Sequence, residues 1–294
     1  MDGDSPTFPA QKDAAGPDTW RQPAPGGPVV LFSPSRHGLY TIGVAELLRR
    51  GGVSIAAVVV RRLLNPSRLA KEFTRDGTRL LRKIWRKLLL RRLAYPSSAP
   101  YQTLPQFLDE MGTRARTVDD LQRLHGIPVI YCGDLNDAAS VRVLREARPR
   151  LVVFTGGGLV RAEVLALSGD GVLNCHMGIL PHYRGMDVVE WPFLEGKTEH
   201  VGMTVHFMDK GVDTGDILAV RHMEPAPGEG RDTLRGRFEV PMCRELATAA
   251  IDWLSGRISR QPQPPDPTPS GVPRQYFKLH PGLQRLAEFR MRRH

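Results

Sequence analysis

Cysteine is scarce in this chain of 294 residues: Cys132, Cys175 and Cys243 are the whole supply. Three widely spaced thiols exclude a disulfide framework and fit a reducing, cytoplasmic setting. No Cys-x-x-Cys pair or Cys/His cluster is present and the nine histidines are scattered, so no metal is expected. Long apolar runs are missing as well. The best candidate, Val53 to Val60, contains Ser54 and is too short to cross a bilayer. The opening Met1-Asp2-Gly3-Asp4-Ser5-Pro6 is polar and acidic and has no apolar run behind it, so no secretory leader is expected.

Acidic residues are sparse only in one place. Of the net charge of +10, all is accounted for between Arg61 and Arg92, where twelve Lys/Arg face only Glu72 and Asp76. The remainder is close to neutral, unlike a uniformly basic nucleic-acid binder, so no nucleic acid is expected as partner. Within that segment Thr78 to Leu93 reads as an amphipathic helix. Leu80, Leu81, Ile84, Trp85, Leu88 and Leu89 share one face, with Arg79, Arg82, Lys83, Arg86 and Lys87 opposite. Two readings stay open: docking on the core with solvated cations, or peripheral contact with an anionic membrane or polyanion.

What is present in quantity is alternation of short apolar runs with helical patterns. Pro28 to Phe32, Val53 to Val60, Leu151 to Phe154, Gly171 to His176 and His200 to Phe207 read as strands. Thr41 to Arg50, stopped by Gly51-Gly52, and Val240 to Ser255 read as helices. This predicts an α/β domain over 29–258: a Rossmann-like, mostly parallel sheet flanked by helices, with ligands at the carboxyl ends of its strands. Residues 1–28, with six prolines, four glycines and four aspartates, read as a disordered tail. Residues 259–294 read as a Pro-rich linker or strap and a short C-terminal extension, in which Tyr276-Phe277 and Leu279 are candidates to dock back.

The chemistry concentrates in the middle. Asn174 and His176 end a predicted strand and project to one face, while Cys175 points to the other and is expected to be a packing residue. Leu180-Pro181-His182-Tyr183-Arg184-Gly185 makes a stiff loop behind them. Asp213 follows in a turn flanked by Gly211 and Gly215. An amide, an imidazole and a carboxylate can donate to an oxyanion, carry charge and accept an amine proton. Singly, each has a plain alternative, as a strand-end cap or an Asx turn. Their coincidence is what points to acyl transfer. Gly156-Gly157-Gly158 after a strand permits close backbone approach to a flat ring, and no Lys-Ser/Thr follows it to make a nucleotide-hydrolase loop.

From about Arg150 to Leu218, and more weakly from Val29 to Ile258, these motifs resemble the folate-dependent formyltransferases. That family includes glycinamide ribonucleotide, methionyl-tRNA and nucleotide-sugar N-formyltransferases. The resemblance implies the formyltransferase fold, 10-formyltetrahydrofolate as the donor substrate and no metal. It places the catalytic Asn, His and Asp on Asn174, His176 and Asp213. It also implies that the pterin is held by two loops, one with Gly158, Leu159 and Val160, the other with Met208, Asp209 and Gly211 in the run to Asp213.

Ser33-Pro34-Ser35-Arg36-His37-Gly38 follows the first predicted strand. It is open to two readings: contact of Ser35 and Arg36 with an acceptor phosphate, or a capping turn. Arg184 is a further candidate for substrate binding, and Gly185 to Asp187 with Glu190-Trp191 are expected to line or support the acceptor side. The loop lacks the glycine-rich pattern of the purine-pathway enzymes, and 259–294 does not match the folded domain of the tRNA enzymes. By elimination the expected acceptor is a nucleotide-linked amino sugar. The alternatives are a formyltetrahydrofolate hydrolase, a tRNA-type formyltransferase, an inactive binding module, or a polyanion- or membrane-binding protein acting through 78–93. A homodimer is the remaining partner class.

Overall fold

Every residue of the first strand, β1 (Val29–Ser33), is buried. Five successive hidden side chains require cover on both faces, the hallmark of a strand inside a parallel sheet. The computed structural model, which describes residues 27–62, 99–264 and 274–294, has this architecture. β1 is followed by α1 (Leu39–Arg50), β2 (Ile55–Arg61), α2 (Leu104–Glu110), α3 (Asp119–His125), β3 (Val129–Cys132) and α4 (Ala138–Ala147). Then come β4 (Leu151–Phe154), α5 (Ala162–Ala166), β5 (Val172–His176), β6 (Arg184–Gly185) and α6 (Trp191–Glu195). β7 (Gly202–Met208), β8 (Ile217–His222), α7 (Arg231–Leu254), β9 (Gln275–Tyr276) and α8 (Pro281–Met291) complete the order.

Seven strands form one sheet in the order β3-β2-β1-β4-β5-β7-β8. From β3 to β5 every pairing is parallel, whereas β5–β7 and β7–β8 are antiparallel. The chain first adds strands on one side of β1 and then returns to add β4 and β5 on the other. The crevice above β1 and β4 is therefore the switch point at which such sheets bind ligands.

Strand alternation splits the core in two. Leu31, Val153, Leu173 and Cys175 face α1 and α7, where Leu48, Leu246 and Ala250 pack against them. Phe32, Val152 and Val172 face the opposite way, onto Val141 and Leu144 of α4 and Val164 of α5. Burial pushes the Cys175 thiol well above its ordinary range, so it stays a neutral packing group, as expected from its face of the strand. All three cysteines are free and buried.

Two helices extend beyond the sequence expectation. α1 begins two residues before Thr41, and α7 begins nine residues before Val240, carrying Pro241 inside it. A proline costs a helix one donor. Here the buried Leu234 and Phe238 anchor the preceding turns to the core, and that packing overrides the local break. β3 and β8 were not expected. Neither shows clean alternation: β3 is half-buried at three of four positions, and β8 runs from a buried Ile217 to an exposed Arg221 and His222.

A small second sheet pairs β6 with β9 in parallel. Tyr276 of β9 stacks on Tyr183 at 5.1 Å between ring centres, and Trp191 packs against Tyr276 at 4.9 Å. Tyr276 and Leu279 are thus buried, as expected, whereas Phe277 is 69% exposed. The amphipathic stretch Thr78–Leu93 and nearly all of the N-terminal tail lie outside the described residues. Among the described residues no helix is long and apolar enough to cross a membrane.

Candidate active site

The end of β5 sets the site. Its alternation turns Asn174 and His176 to the face opposite Cys175, as the sequence requires. β7 runs antiparallel beside it in a register that pairs Asn174 with His206 and His176 with Thr204. His206 therefore projects from the same face as Asn174. Its Nδ1 lies 2.8 Å from the Phe207 carbonyl, which can only accept, so Nδ1 carries the proton. Nε2 is then an acceptor, and Asn174 Nδ2 donates to it at 3.2 Å. Burial, with the nearby His176 charge in support and Asp213 in opposition, pushes His206 down to about 4. It is neutral at physiological pH and acts as a fixed acceptor that orients the Asn174 carboxamide.

His176 is held from the other side. Its Nε2 donates to the Tyr183 carbonyl at 2.9 Å. That approach runs past Gly178, where a Cβ would lie 2.7 Å from the Tyr183 oxygen and 2.9 Å from His176 Nε2. The Leu180–Pro181 peptide bond between them is cis. The remaining ring nitrogen, Nδ1, faces Asp213 Oδ2 at 3.6 Å, while Asp213 Oδ1 lies 3.6 Å from His206 Nε2. The carboxylate thus stands between two imidazoles set edge to face, with ring centres 6.2 Å apart.

Asp213 reaches this position from a backbone φ of 53°, in the left-handed region. Aspartate and asparagine tolerate that region better than other side chains. Asp209 shapes the turn, its Oδ1 accepting from Gly211 N at 2.9 Å and from the Thr214 hydroxyl. The Gly185 N–H donates to Asp213 Oδ2 at 2.9 Å and fixes the carboxylate itself. Further support comes from Gln263, whose Nε2 donates to the Asp213 and Gly215 carbonyls at 2.9 and 2.8 Å.

The two loops expected to flank a flat ring converge on one face. Gly156, Gly157 and Gly158 all take positive φ, at 117°, 133° and 110°. Arg61 donates to the Gly157 carbonyl and holds the run open, and a Cβ at Gly158 would sit 2.8 Å from Arg61 Nη1. Val160 and Met208 join the same apolar cluster on the α4 side of the sheet, and the Leu159 side chain is exposed beside it. Bare backbone next to a shared apolar floor fits a planar heterocycle. Among the described residues no group of His, Cys, Asp or Glu could hold a metal ion.

The acceptor-side candidates are less convergent. Ser35 and Arg36 lie at the carboxyl end of β1, with β4 between them and β5. Arg36 is exposed and pairs with Asp119 at 2.5 Å. Arg184 is buried, its Nη2 donating to Gln263 Oε1 at 2.9 Å, so it meets the Asp213 turn from behind. Asp187 and Glu190 act as supports: Glu190 takes both Nε and Nη2 of Arg235 at 2.8 and 2.6 Å, and Asp187 Oδ2 accepts from Leu279 N at 2.8 Å.

Sequence reasoning missed His206, Tyr183 as an acceptor, Gly185 as a donor and Gln263. The first was within reach, because His206 has the facing parity in a predicted strand. The rest act through backbone groups or come from a distant segment, and no local pattern reports them.

The sheet and its cluster define a mostly parallel α/β protein with an Asn-His-Asp cluster at the carboxyl end of a central strand. Residues 132–247 match the family model described as formyl transferase. The matched segment is the one that carries Asn174, His176 and Asp213. The chain is 33% identical over 141 residues to a methionyl-tRNA formyltransferase of Geobacter metallireducens, covering 47% of this chain and 45% of that protein. A methionyl-tRNA formyltransferase of Myxococcus xanthus is 31% identical over 151 residues, covering 51% and 48%. The chain spans about half the length of these relatives. Among solved structures, a phosphoribosylglycinamide formyltransferase from Anaplasma phagocytophilum superposes with a TM-score of 0.53 at 14% identity, over 82% of this chain and 96% of that one. A sugar N-formyltransferase from a Shewanella species gives 0.52 at 13% identity, over 90% and 87%. At these identities the likeness establishes the fold.

Proposed function

We propose that the chain transfers a formyl group from 10-formyltetrahydrofolate to a primary amine carried by a nucleotide-linked amino sugar. The observation that carries the reaction is the Asp213 carboxylate at 3.6 Å from both His176 Nδ1 and His206 Nε2, with the Asn174 amide fixed on the second imidazole. The donor's ring lies along the Gly156–Gly158 backbone and the Val160–Met208 floor. Its formyl carbon then faces Asn174.

The neutral amine attacks that carbon, forming a C–N bond and placing negative charge on the formyl oxygen. Asn174 Nδ2 has two N–H groups. One is held by His206, and the other donates to the oxyanion. His176 has its Nε2 on Tyr183, so it acts through Nδ1, the ring nitrogen that faces Asp213. Asp213 takes the proton released by the attacking nitrogen, directly or through water. On collapse the C–N bond to the folate breaks and its nitrogen regains one proton, so no net proton is lost. Aligned donors of this kind act where charge develops and need no reorganisation at the moment of reaction.

The acceptor enters past the exposed Met186, next to the Gly185 N–H that holds Asp213. The Ser35–Arg36 loop supplies the side suited to an anionic group. A second reading, a charged tRNA as acceptor, is favoured by the likeness to the two methionyl-tRNA formyltransferases above. The test is release of tetrahydrofolate from 10-formyltetrahydrofolate with a panel of nucleotide-linked amino sugars and with methionyl-tRNA. Release that depends on one amino sugar supports the proposal. Release that depends on the tRNA replaces the acceptor, and release without any amine identifies a hydrolase.

A further inference from the structure

Gln263 lies outside the matched family segment and fifty residues after the turn it touches. The sequence around it is Gln261-Pro262-Gln263-Pro264. Proline fixes its own φ and pushes the residue before it into extended backbone, so this stretch is stiff before it meets the core. It attaches at the edge of the large sheet. Gln261 exchanges both backbone hydrogen bonds with Ile217, at 2.8 and 2.9 Å, alongside the start of β8. Gln263, two residues on, is thereby delivered beneath the Asp213 turn.

One side-chain amide is then fully used. Its two N–H donors go to the carbonyls of Asp213 and Gly215, at 2.9 and 2.8 Å. Its oxygen accepts from Arg184 Nη2 at 2.9 Å. Arg184 is buried, and its Nε and Nη1 have no hydrogen-bond partner among the described residues. The next residue is Gly185, whose N–H donates to the Asp213 carboxylate. A ring closes: Asp213 carboxylate, Gly185, Arg184, Gln263, Asp213 carbonyl. The ring ties the backbone of Asp213 to the residue that holds its side chain. It also secures a turn whose central residue sits at positive φ, a conformation that costs energy unless its surroundings enforce it.

We propose that Gln263 is a positioning residue that sets the Asp213 carboxylate between His176 and His206, so that the proline-rich strap is a working part of the site. The proposal rests on the formyl-transfer reading for its kinetic consequence, but its structural core can be tested without it.

Gln263→Met keeps the length of the side chain and removes both N–H donors. Gln263→Glu keeps an acceptor for Arg184 and also lacks those donors. Both variants are expected to lower kcat about ten- to a hundredfold, the scale of a misplaced catalytic group, with little change in KM for the donor. In Gln263→Met the ring nitrogen NMR signals of His176 and His206 are expected to move in the same direction as in Asp213→Asn, by a smaller amount. Unmoved imidazole signals in Gln263→Met, in a folded protein whose signals do move in Asp213→Asn, overturn the proposal. Wild-type kcat in Gln263→Glu together with a loss in Gln263→Met also overturns it, because the Arg184 contact alone would then matter. If the wild-type protein transfers no formyl group, the functional reading fails by itself and the NMR comparison still decides the role of Gln263.

Discussion

His206 and Asn174 face each other across the antiparallel β5–β7 pair, and the imidazole accepts from the amide at 3.2 Å. The proton on His206 Nδ1 is committed to its neighbour's carbonyl, so Nε2 has one role, to hold the Asn174 carboxamide in a single orientation. Asn174→Ala removes the proposed oxyanion donor. Turnover in formyl transfer is expected to fall about 10² to 10³-fold. Steady-state kinetics with the identified acceptor checks this, and near-normal turnover removes Asn174 from the mechanism.

His206 also carries a pH signature. Its folded value of about 4 lies below the ordinary 6.5 because of burial. Below 6.5 the unfolded chain binds this proton and the folded chain does not. Acidification from about 6.5 towards 4 therefore erodes stability, and above that window the effect is absent. His206→Gln, a neutral residue that still offers an acceptor, is expected to flatten this part of the profile. Urea midpoints measured between pH 7 and 4 decide it: parallel profiles for variant and wild type contradict the assignment.

Gly178 has no side chain where His176 and Tyr183 meet. The Cβ of Gly178→Ala would stand 2.7 Å from the Tyr183 oxygen and 2.9 Å from His176 Nε2, closer than real contacts allow. The imidazole must shift, and a displacement near 1 Å at a reacting group costs roughly 10² in rate. The expected result is a loss of that order in kcat with the fold retained, read by kinetics beside circular dichroism.

Asp213 combines charge with an unusual backbone. Asp213→Asn keeps the side-chain shape, the Gly185 hydrogen bond and a residue type tolerant of φ 53°. It removes the negative charge between the two imidazoles and, with it, the proposed base. Thermal stability is expected to stay near wild type while turnover falls about 10²-fold or more. Asp213→Ala, by contrast, is expected to lose about 1 kcal/mol or more of stability as well, because alanine disfavours that backbone region. Melting curves of the two variants separate these contributions.

The expected strands 28–32, 151–154 and 171–176 match β1, β4 and β5 to within a residue, because a doubly covered strand is built on a run of apolar residues. The face shared by Asn174 and His176 followed from simple alternation. β8 and α7 were harder. An edge strand with one exposed end carries no regular pattern, and of the helix expected from Val240 to Ser255 only the nine residues ahead of it, Arg231 to Glu239, went unread, with Pro241 standing just inside. Arg184 illustrates the deeper limit. An arginine beside a predicted site is read as a ligand contact, yet this side chain is buried against Gln263, a residue 79 positions away. Such pairings are decided by how the chain closes on itself, and the local sequence does not contain them.

The Asp213 turn and the amide that ties down its carbonyl are separated by fifty residues of chain. Synthesis proceeds at about 5–20 residues per second, so the turn exists for several seconds before its tether has been made. Every strand of the large sheet emerges earlier than the tether. A ribosome paused just past β8 would have translated Asn174, His176, His206 and the Gly185 that holds the Asp213 carboxylate, while the carbonyls of the Asp213 turn still lacked their tether. Maturation of the site is thus among the last events in the birth of the molecule.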